Sequence, residues 1–381
     1  MPASPAQLRA VLRRLADWPS TQLPVVSAYL DLRPQATGQN PQVRSGLIVL
    51  RDRLRQIERE LAPHSEAHDS LVADTARIEQ LLHAEALPSA QGVAIFCCHG
   101  AEERLEWVAT ALELDNEVSV DSRPSLWPLA RLADIDAAVV ALADTNTLRL
   151  FALRSGALEE IGLLDDETTD YRRADVGGWS QARFQRHVDG HREGFAQLAA
   201  GAIEDAVARE AAGVVLLCGD EVALPLVRDA LASPVAEKVR DVLRIDMRAS
   251  IADVEAEALP ALEKIRTADA GDAADRLLGA LRADGMALAG VEQTRRALEL
   301  GQVGELILDP AAELADGTGE ELVRLAATTD AQIRFCAEHG GLRQFGGVGG
   351  LLRYRLDRDV SDPQLPVGGA GATESESSLR S

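Results

Sequence analysis

Long apolar runs are missing from this sequence. Nowhere do about twenty apolar residues follow one another, as a membrane helix needs, and the start MPASPAQLRAVLRRL lacks the apolar stretch of a secretory signal. Neither membrane insertion nor export is expected, and the cytoplasm is the default address. Cysteine is scarce too: Cys97, Cys98, Cys218 and Cys336 sit in strand-like runs such as GVAIFCC and GVVLLCG, without metal-ligand spacing or disulfide-scaffold density. They read as buried thiols. Positive charge is in deficit, with 39 basic against 61 acidic residues and a formal net charge of -22. That balance argues against a protein that coats nucleic acid non-specifically, because such affinity comes from neutralising phosphates. Any RNA contact must therefore be local. Lysine is almost absent: apart from Lys238 and Lys264 every basic side chain is an arginine, suited to bidentate phosphate contacts and base stacking. A GC-rich coding sequence would give the same bias.

What the chain does have is apolar residue, 46% of 381, enough for two or three domains of ordinary size. The first unit, 1–130, reads strand, helix, helix, strand: VVSAYLDL at 25–32, amphipathic patterns over 43–61 and 70–87, then GVAIFCC. Pro124 and Pro128 in a turn-rich segment mark a boundary near 130. The second unit, 131–268, opens with DAAVVALAD, TLRLFAL and ALEEIGLL, separated by hairpin-length turns that predict an antiparallel meander. A polar loop, DDETTDYRRADVGG, leads into a long helix from about Ser180. Phe184, Val188, His191, Phe195, Leu198 and Ala202 recur along one face, which is expected to pack on the sheet. GVVLLCG, a helix over 221–231, VLRID and a helix after Ser250 complete an alternating α/β segment. The third unit, 269–358, carries helices at 272–284, 291–300 and 319–327 with GELILD, AQIRFC and GGVGGLLRYRL between and after them, an α/β/α sandwich. The remainder, 359–381, rich in Ser, Gly, Pro and Glu, is expected to be a disordered tail. The fold class is thus α/β in three domains, the middle one a mixed sheet with a long helix after a Gly-Gly loop.

Two stretches resemble the archaeal and eukaryotic peptide-chain release factor 1 and Pelota superfamily. That family reads Gly-Gly-Gln-Ser-Ala-x-Arg-Phe-x-Arg at the start of a long helix, where this chain has Gly177, Gly178, Trp179, Ser180, Gln181, Ala182, Arg183, Phe184, Gln185 and Arg186. Near its end the family has a phrase like Gly-Phe-Gly-Gly-Ile-Gly-Gly-Ile-Leu-Arg-Tyr, against Gln344 through Tyr354 here, with ALELGQVGELILD upstream resembling the family's helix-to-strand turn. The resemblance covers roughly 131–358 and implies a bacterial branch. The Asn-Ile-Lys-Ser loop with which stop-codon readers decode is absent from the sequence, so decoding is not expected.

The resemblance implies work in the ribosomal A site against P-site tRNA, with no metal or organic cofactor, by a monomer whose C-terminal domain contacts a translational GTPase such as elongation factor Tu. Cleaving peptidyl-tRNA means bringing water to an ester in a narrow site walled by RNA. Two glycines make a backbone thin enough to enter, and an amide can orient the water or stabilise the oxyanion. Trp179 stands at the family's glutamine position, with a donor but no acceptor. Gln181 resembles the Gly-Ser-Gln arrangement of ribosome quality-control peptidyl-tRNA hydrolases in the same superfamily; it is equally a helix former beside Ser180 as N-cap. Gly177, Gly178 and Gln181 are the catalytic candidates. Arg172, Arg173, Arg183 and Arg186, with Trp179 as a stacking platform, are the RNA-binding candidates. Their plainer reading is arginines paired with acids along a solvated helix and a tryptophan stapling the helix start. A Pelota-like or Balon-like hibernation factor, binding without cleavage, is the alternative function.

Other motifs point nowhere. His187 and His191 have i, i+4 spacing, but the glutamate of a zinc-protease helix is missing. The run GGVGG leads into a strand rather than a helix and lacks the Lys-Ser/Thr of a phosphate loop, so its glycines are expected to serve close packing.

Overall fold

The computed structural model describes residues 3–33, 45–83, 90–100, 103–112, 114–154, 156–165, 181–315 and 317–354. They form three sheets in chain order.

The first unit runs α1 (Pro5–Ala16), β1 (Val25–Asp31), α2 (Ser45–Glu60), α3 (Glu66–His83), β2 (Gly92–Cys98), β3 (Arg104–Thr110), β4 (Glu117–Asp121) and α4 (Trp127–Ala133). Its strands pair antiparallel in the order β3-β2-β1-β4. β1 and β2 read as continuous apolar runs because both faces of the sheet are covered. Val26, Ala28 and Leu30 meet Leu50, Leu54, Leu71 and Ile78 of α2 and α3. Val25 and Tyr29 face the other way, toward α1 and α4. The α1 helix starts on a capping box, with Ser4 and Gln7 satisfying each other's backbone N–H.

The middle unit contains β5 (Ala138–Ala143), β6 (Thr147–Arg154), β7 (Ala157–Asp165), α5 (Gln181–Glu210), β8 (Val214–Gly219), α6 (Ala223–Ala230), the short α7 (Ser233–Ala236), β9 (Val239–Leu243) and α8 (Ile251–Arg282). The expected meander is present as β7-β6-β5, antiparallel throughout, and β8 and β9 extend it in parallel to a five-stranded mixed sheet. Phe195, Ala199, Ile203 and Ala206 of α5 cover one face, and Val254, Ala258 and Leu262 of α8 the other. The β8 strand ends on Gly219 at φ +125°, where a Cβ would lie 2.0 Å from the carbonyl oxygen of Ala143, so no other residue fits.

The third unit adds β10 (Ala287–Ala289), α9 (Val291–Glu299), β11 (Val303–Leu308), α10 (Thr318–Thr328), β12 (Gln332–Phe335), α11 (Gly340–Arg343) and β13 (Val348–Leu352). The order is β10-β13-β11-β12, with only β11 and β12 parallel. The second half of α8 packs on one face, while α9 and α10 cover the other. Gly349 lets α8 come close: a Cβ there would sit 2.6 Å from Leu277 Cδ1.

Two expectations need correction. Leu198 does not belong to the packed face of α5: it is 59% exposed, while Ala199, Ala200 and Ile203 are buried. The 3.6-residue period carries the stripe from Phe195 through Ala199 to Ile203, and Leu198 falls beside it. The helices expected after Ser250 and over 272–284 are one helix of 32 residues. It begins on a capping box between Ser250 and Asp253 and passes through Pro260 without ending.

Candidate functional site

The loop predicted to carry the chemistry, Arg172, Arg173, Gly177, Gly178 and Trp179, lies outside the described residues. Gln181 is the first residue of α5, and Arg183 and Arg186 follow in its opening turns. Their side chains, and those of His187 and His191, also lie outside what the structure describes. Among the described side chains of α5, Phe195 is the first in the core beneath it, and at 1.5 Å per residue the helix start lies ~21 Å along the axis from it. Gly190 and Gly194 fall in this stretch, both exposed, and a Cβ on either would meet nothing within 4 Å. Glycine in a helix interior weakens it by ~1 kcal/mol relative to alanine. The segment leading to the loop is therefore of low intrinsic helix stability.

Among the described residues the densest charge constellation lies where the chain passes from α4 into β5. Asp134, 6% exposed, accepts the backbone N–H of Phe335 at 2.8 Å. Arg266 of α8 stands 3.7 Å from it and Arg334 of β12 3.9 Å. Arg334 also reaches Asp136 at 3.7 Å and bonds Glu305 at 3.0 Å, and Arg9 of α1 stands 3.6 Å from Asp136 while donating to the carbonyl of Ile135 at 3.1 Å. Burial pushes the Asp134 carboxyl up to about 6, against the opposing pull of the Phe335 N–H and the two arginines. For Arg334 burial works against the charge, but Glu305, Asp134 and Asp136 more than offset it and hold the guanidinium above its ordinary pKa.

A second polar cluster ties α10 to α4. The Glu320 carboxylate accepts from the Ser125 hydroxyl at 2.7 Å, Leu126 N–H at 2.6 Å and Trp127 N–H at 3.1 Å, capping α4 from another part of the chain. One turn on, Arg324 donates to the carbonyl of Pro124 at 2.7 Å and to those of Leu15 and Ala16 at 3.5 Å. The Trp127 and Phe335 rings stack edge to face, 5.1 Å between centroids. Neither cluster could be read from the sequence, because each joins residues more than a hundred positions apart and uses acids that look like all the others.

Two cavities flank this region. One of about 220 Å³ is lined by Leu112, Ile135, Leu153, Leu262 and Arg266 among others, and one of about 370 Å³ by Arg9, Arg13, Asp134, Asp136 and Asp330 among others. Among the described residues no three His, Cys, Asp or Glu side chains gather as metal ligands, and no helix is long and apolar enough to cross a membrane. The four cysteines are buried as free thiols; Cys97 donates to Asp74 at 3.0 Å, and burial holds the thiols of Cys97 and Cys218 well above their usual range.

Residues 124–263 match the model of a family described as bacterial archaeo-eukaryotic release factor family 10. The matched stretch contains the middle sheet and the Gly177-to-Gln181 segment. A protein pelota homolog of Halobacterium salinarum is 26% identical over 183 residues, which cover 41% of this chain and 49% of the relative. The chain thus spans about half the length of this curated relative. Among solved structures, Archaeoglobus fulgidus Pelota is 13% identical with a TM-score of 0.34, covering 94% of each chain. A ribosome-bound archaeal Pelota, described together with ABCE1, is 14% identical with a TM-score of 0.43, covering 93% of this chain and 96% of that one. At these scores the solved structures say nothing about function. The chain resembles the release factor 1 and Pelota superfamily, as its two sequence phrases indicate.

Proposed function

We propose that this protein is a ribosome-associated release or rescue factor that acts in the A site and hydrolyses peptidyl-tRNA on stalled ribosomes or large subunits. The observation that carries the reading is the release-factor family match over 124–263, whose sequence contains Gly177 and Gly178 and, as the first residue of a 30-residue helix, Gln181. In the reaction water adds to the ester carbonyl, and the tetrahedral oxyanion collapses with expulsion of the tRNA ribose hydroxyl, which takes up the proton that water gives up. Gly177 and Gly178 give the loop its thinness, and Gln181 orients the water through its amide oxygen and the oxyanion through its N–H. Arg172, Arg173, Arg183 and Arg186 supply the local positive charge that an acidic protein needs to sit against rRNA and P-site tRNA, and Trp179 a stacking surface. On this reading the protein is a cytoplasmic monomer of three domains, divided near residues 130 and 268, with a translational GTPase of the elongation factor Tu kind as partner of its C-terminal domain.

A second reading has its own support. Trp179 replaces the family's glutamine, and Gln181 lies within the helix rather than before it, an arrangement suited to a factor that occupies the A site in rescue or hibernation without cleaving. Release of labelled peptide from stalled ribosome complexes separates the two. If wild type releases peptide and Gln181→Ala abolishes release while ribosome co-sedimentation persists, the hydrolase reading stands. Binding without release above background assigns the protein to the second class, and Trp179→Ala then tests stacking through loss of affinity. Binding that survives charge reversal of all four arginines overturns both.

A further inference from the structure

The cavity of about 370 Å³ lies between α1, the end of α4 and the turn from α10 into β12, and its lining carries both signs of charge beside an apolar part. Leu12, Ala130, Ala327 and Ile333 belong to the apolar part, and the short side chains of the two alanines leave the space open.

The acids of this lining are short of donors. The Asp134 side chain is 4% exposed, and its Oδ2 accepts the Phe335 N–H at 2.8 Å. Its Oδ1 stands 3.9 Å from the Arg334 guanidinium. Asp136 stands 3.6 Å from Arg9 and 3.7 Å from Arg334. These distances are beyond a hydrogen bond, so among the described residues neither Asp134 Oδ1 nor Asp136 accepts one. The guanidiniums around them are engaged elsewhere: Arg9 donates to the carbonyl of Ile135, Arg334 to Glu305 and Arg266 to Glu263. A carboxylate more than nine-tenths buried, on the wall of a cavity and with an oxygen that meets no donor, is short of a partner. The same burial pushes its carboxyl up to about 6.

The opposite charge is at hand. Arg9 and Arg13 also line the cavity and, four residues apart on α1, lie on one face of the helix. Arg13 is held by Asp330 in a surface pair, with side chains 55% and 73% exposed. Such a pair contributes little and gives way to another carboxylate at small cost. Arg9, Arg266 and Arg334, all within 4 Å of the two acids, repel a bare metal ion there, and an anion alone leaves Asp134 without a donor. A molecule carrying both signs meets both needs. Because Arg9 is as close as 3.6 Å to Asp136, its two charges must sit near one another, as they do when one carbon bears both.

We propose that this cavity binds a small zwitterion of the α-amino-acid class with an aliphatic side chain. Its ammonium donates to Asp134 Oδ1 and Asp136, its carboxylate lies between Arg9 and Arg13 in place of Asp330, and its side chain rests against Leu12, Ala130, Ala327 and Ile333. The volume is in the range of small-molecule sites, and none of these residues belongs to the segment that carries the proposed function.

Isothermal titration calorimetry of the full chain with L-valine, L-leucine, isobutylamine and isobutyrate tests this without a ribosome. One or both amino acids are expected to bind saturably at one site, and the amine and the acid, each with a single charge, at least about tenfold more weakly. Asp136→Asn and Arg13→Gln, at side chains 32% and 55% exposed, are each expected to weaken amino-acid binding at least about tenfold. Thermal melts establish that each variant is folded, and Arg13→Gln serves where Asp136→Asn is not. Absence of saturable binding by both amino acids up to about 10 mM overturns the proposal. Isobutylamine or isobutyrate binding as tightly as the amino acids makes this a site for one charge only and overturns it too, as does an affinity that both variants leave unchanged.

Discussion

Replacing Asp134 by asparagine tests the electrostatics of its charge cluster directly. In the fold its carboxyl is pushed up to about 6 by burial, from an ordinary 3.8. Between these values the folded state holds a proton that the unfolded chain has released, so stability is fully present below pH 4 and is lost as pH rises through 6. A rise of about two units corresponds to about 3 kcal/mol. Asparagine keeps an oxygen to accept the Phe335 N–H and carries no charge to bury. Arg334 is not abandoned in the variant, since Glu305 at 3.0 Å and Asp136 at 3.7 Å remain, and Arg266 keeps Glu263. Other carboxylates, such as Asp31 and Glu160, are held below their usual range by Arg33 and Arg149 and give a slope of opposite sign. The quantity to measure is therefore the difference between variant and wild type. Urea unfolding followed by tryptophan fluorescence from pH 4.5 to 7.5 is expected to show Asp134→Asn gaining on wild type with rising pH by about 2 kcal/mol, the remaining ~1 kcal/mol falling below this window. A difference that is flat across this range, or that falls, would refute the assignment of Asp134 as a carboxylate whose charge the fold resists.

Glu320→Ala leaves three donors at the start of α4 without their acceptor and is expected to cost ~2–4 kcal/mol, with Glu320→Gln costing less in the same urea assay. Gly219→Ala forces a Cβ onto the Ala143 carbonyl at a positive φ and is expected to destabilise by ~2 kcal/mol or more, read as a lower melting temperature. On α5 the two faces separate cleanly: Ile203→Ala is expected to cost ~2–5 kcal/mol and Leu198→Ser to stay within ~0.5 kcal/mol, because the first is buried and the second exposed. Gly190→Ala and Gly194→Ala, where the new methyl meets nothing within 4 Å, are each expected to stabilise the helix by ~1 kcal/mol and to slow amide hydrogen exchange near its start.

Central strands were legible in the sequence because burial on both faces turns them into unbroken apolar runs, as in β1, β2, β5 and β8. The edge strands β3 and β4 were not, since RLEWVAT and EVSVD keep exposed and half-exposed residues along their length and imitate loops. The α8 helix was divided in two for a physical reason as well. Its apolar face serves the middle sheet up to Leu262 and the third sheet from Ala270, and between these cores the periodicity lapses although the backbone hydrogen bonds continue. The release-factor phrase was legible because it is contiguous. The carboxylates that hold the molecule together were not, for the opposite reason. In a chain with 61 acidic residues Asp134 and Glu320 differ from their neighbours only in what the fold brings against them: Phe335 and Arg334 from two hundred residues away for the one, and the open end of α4 for the other. The same excess of acid makes the arginines informative. A guanidinium buried among several carboxylates, as Arg334 is, serves the fold. Arg172 and Arg173, which precede the helix and so lack the i±4 acids of its face, are the ones to test against an external phosphate.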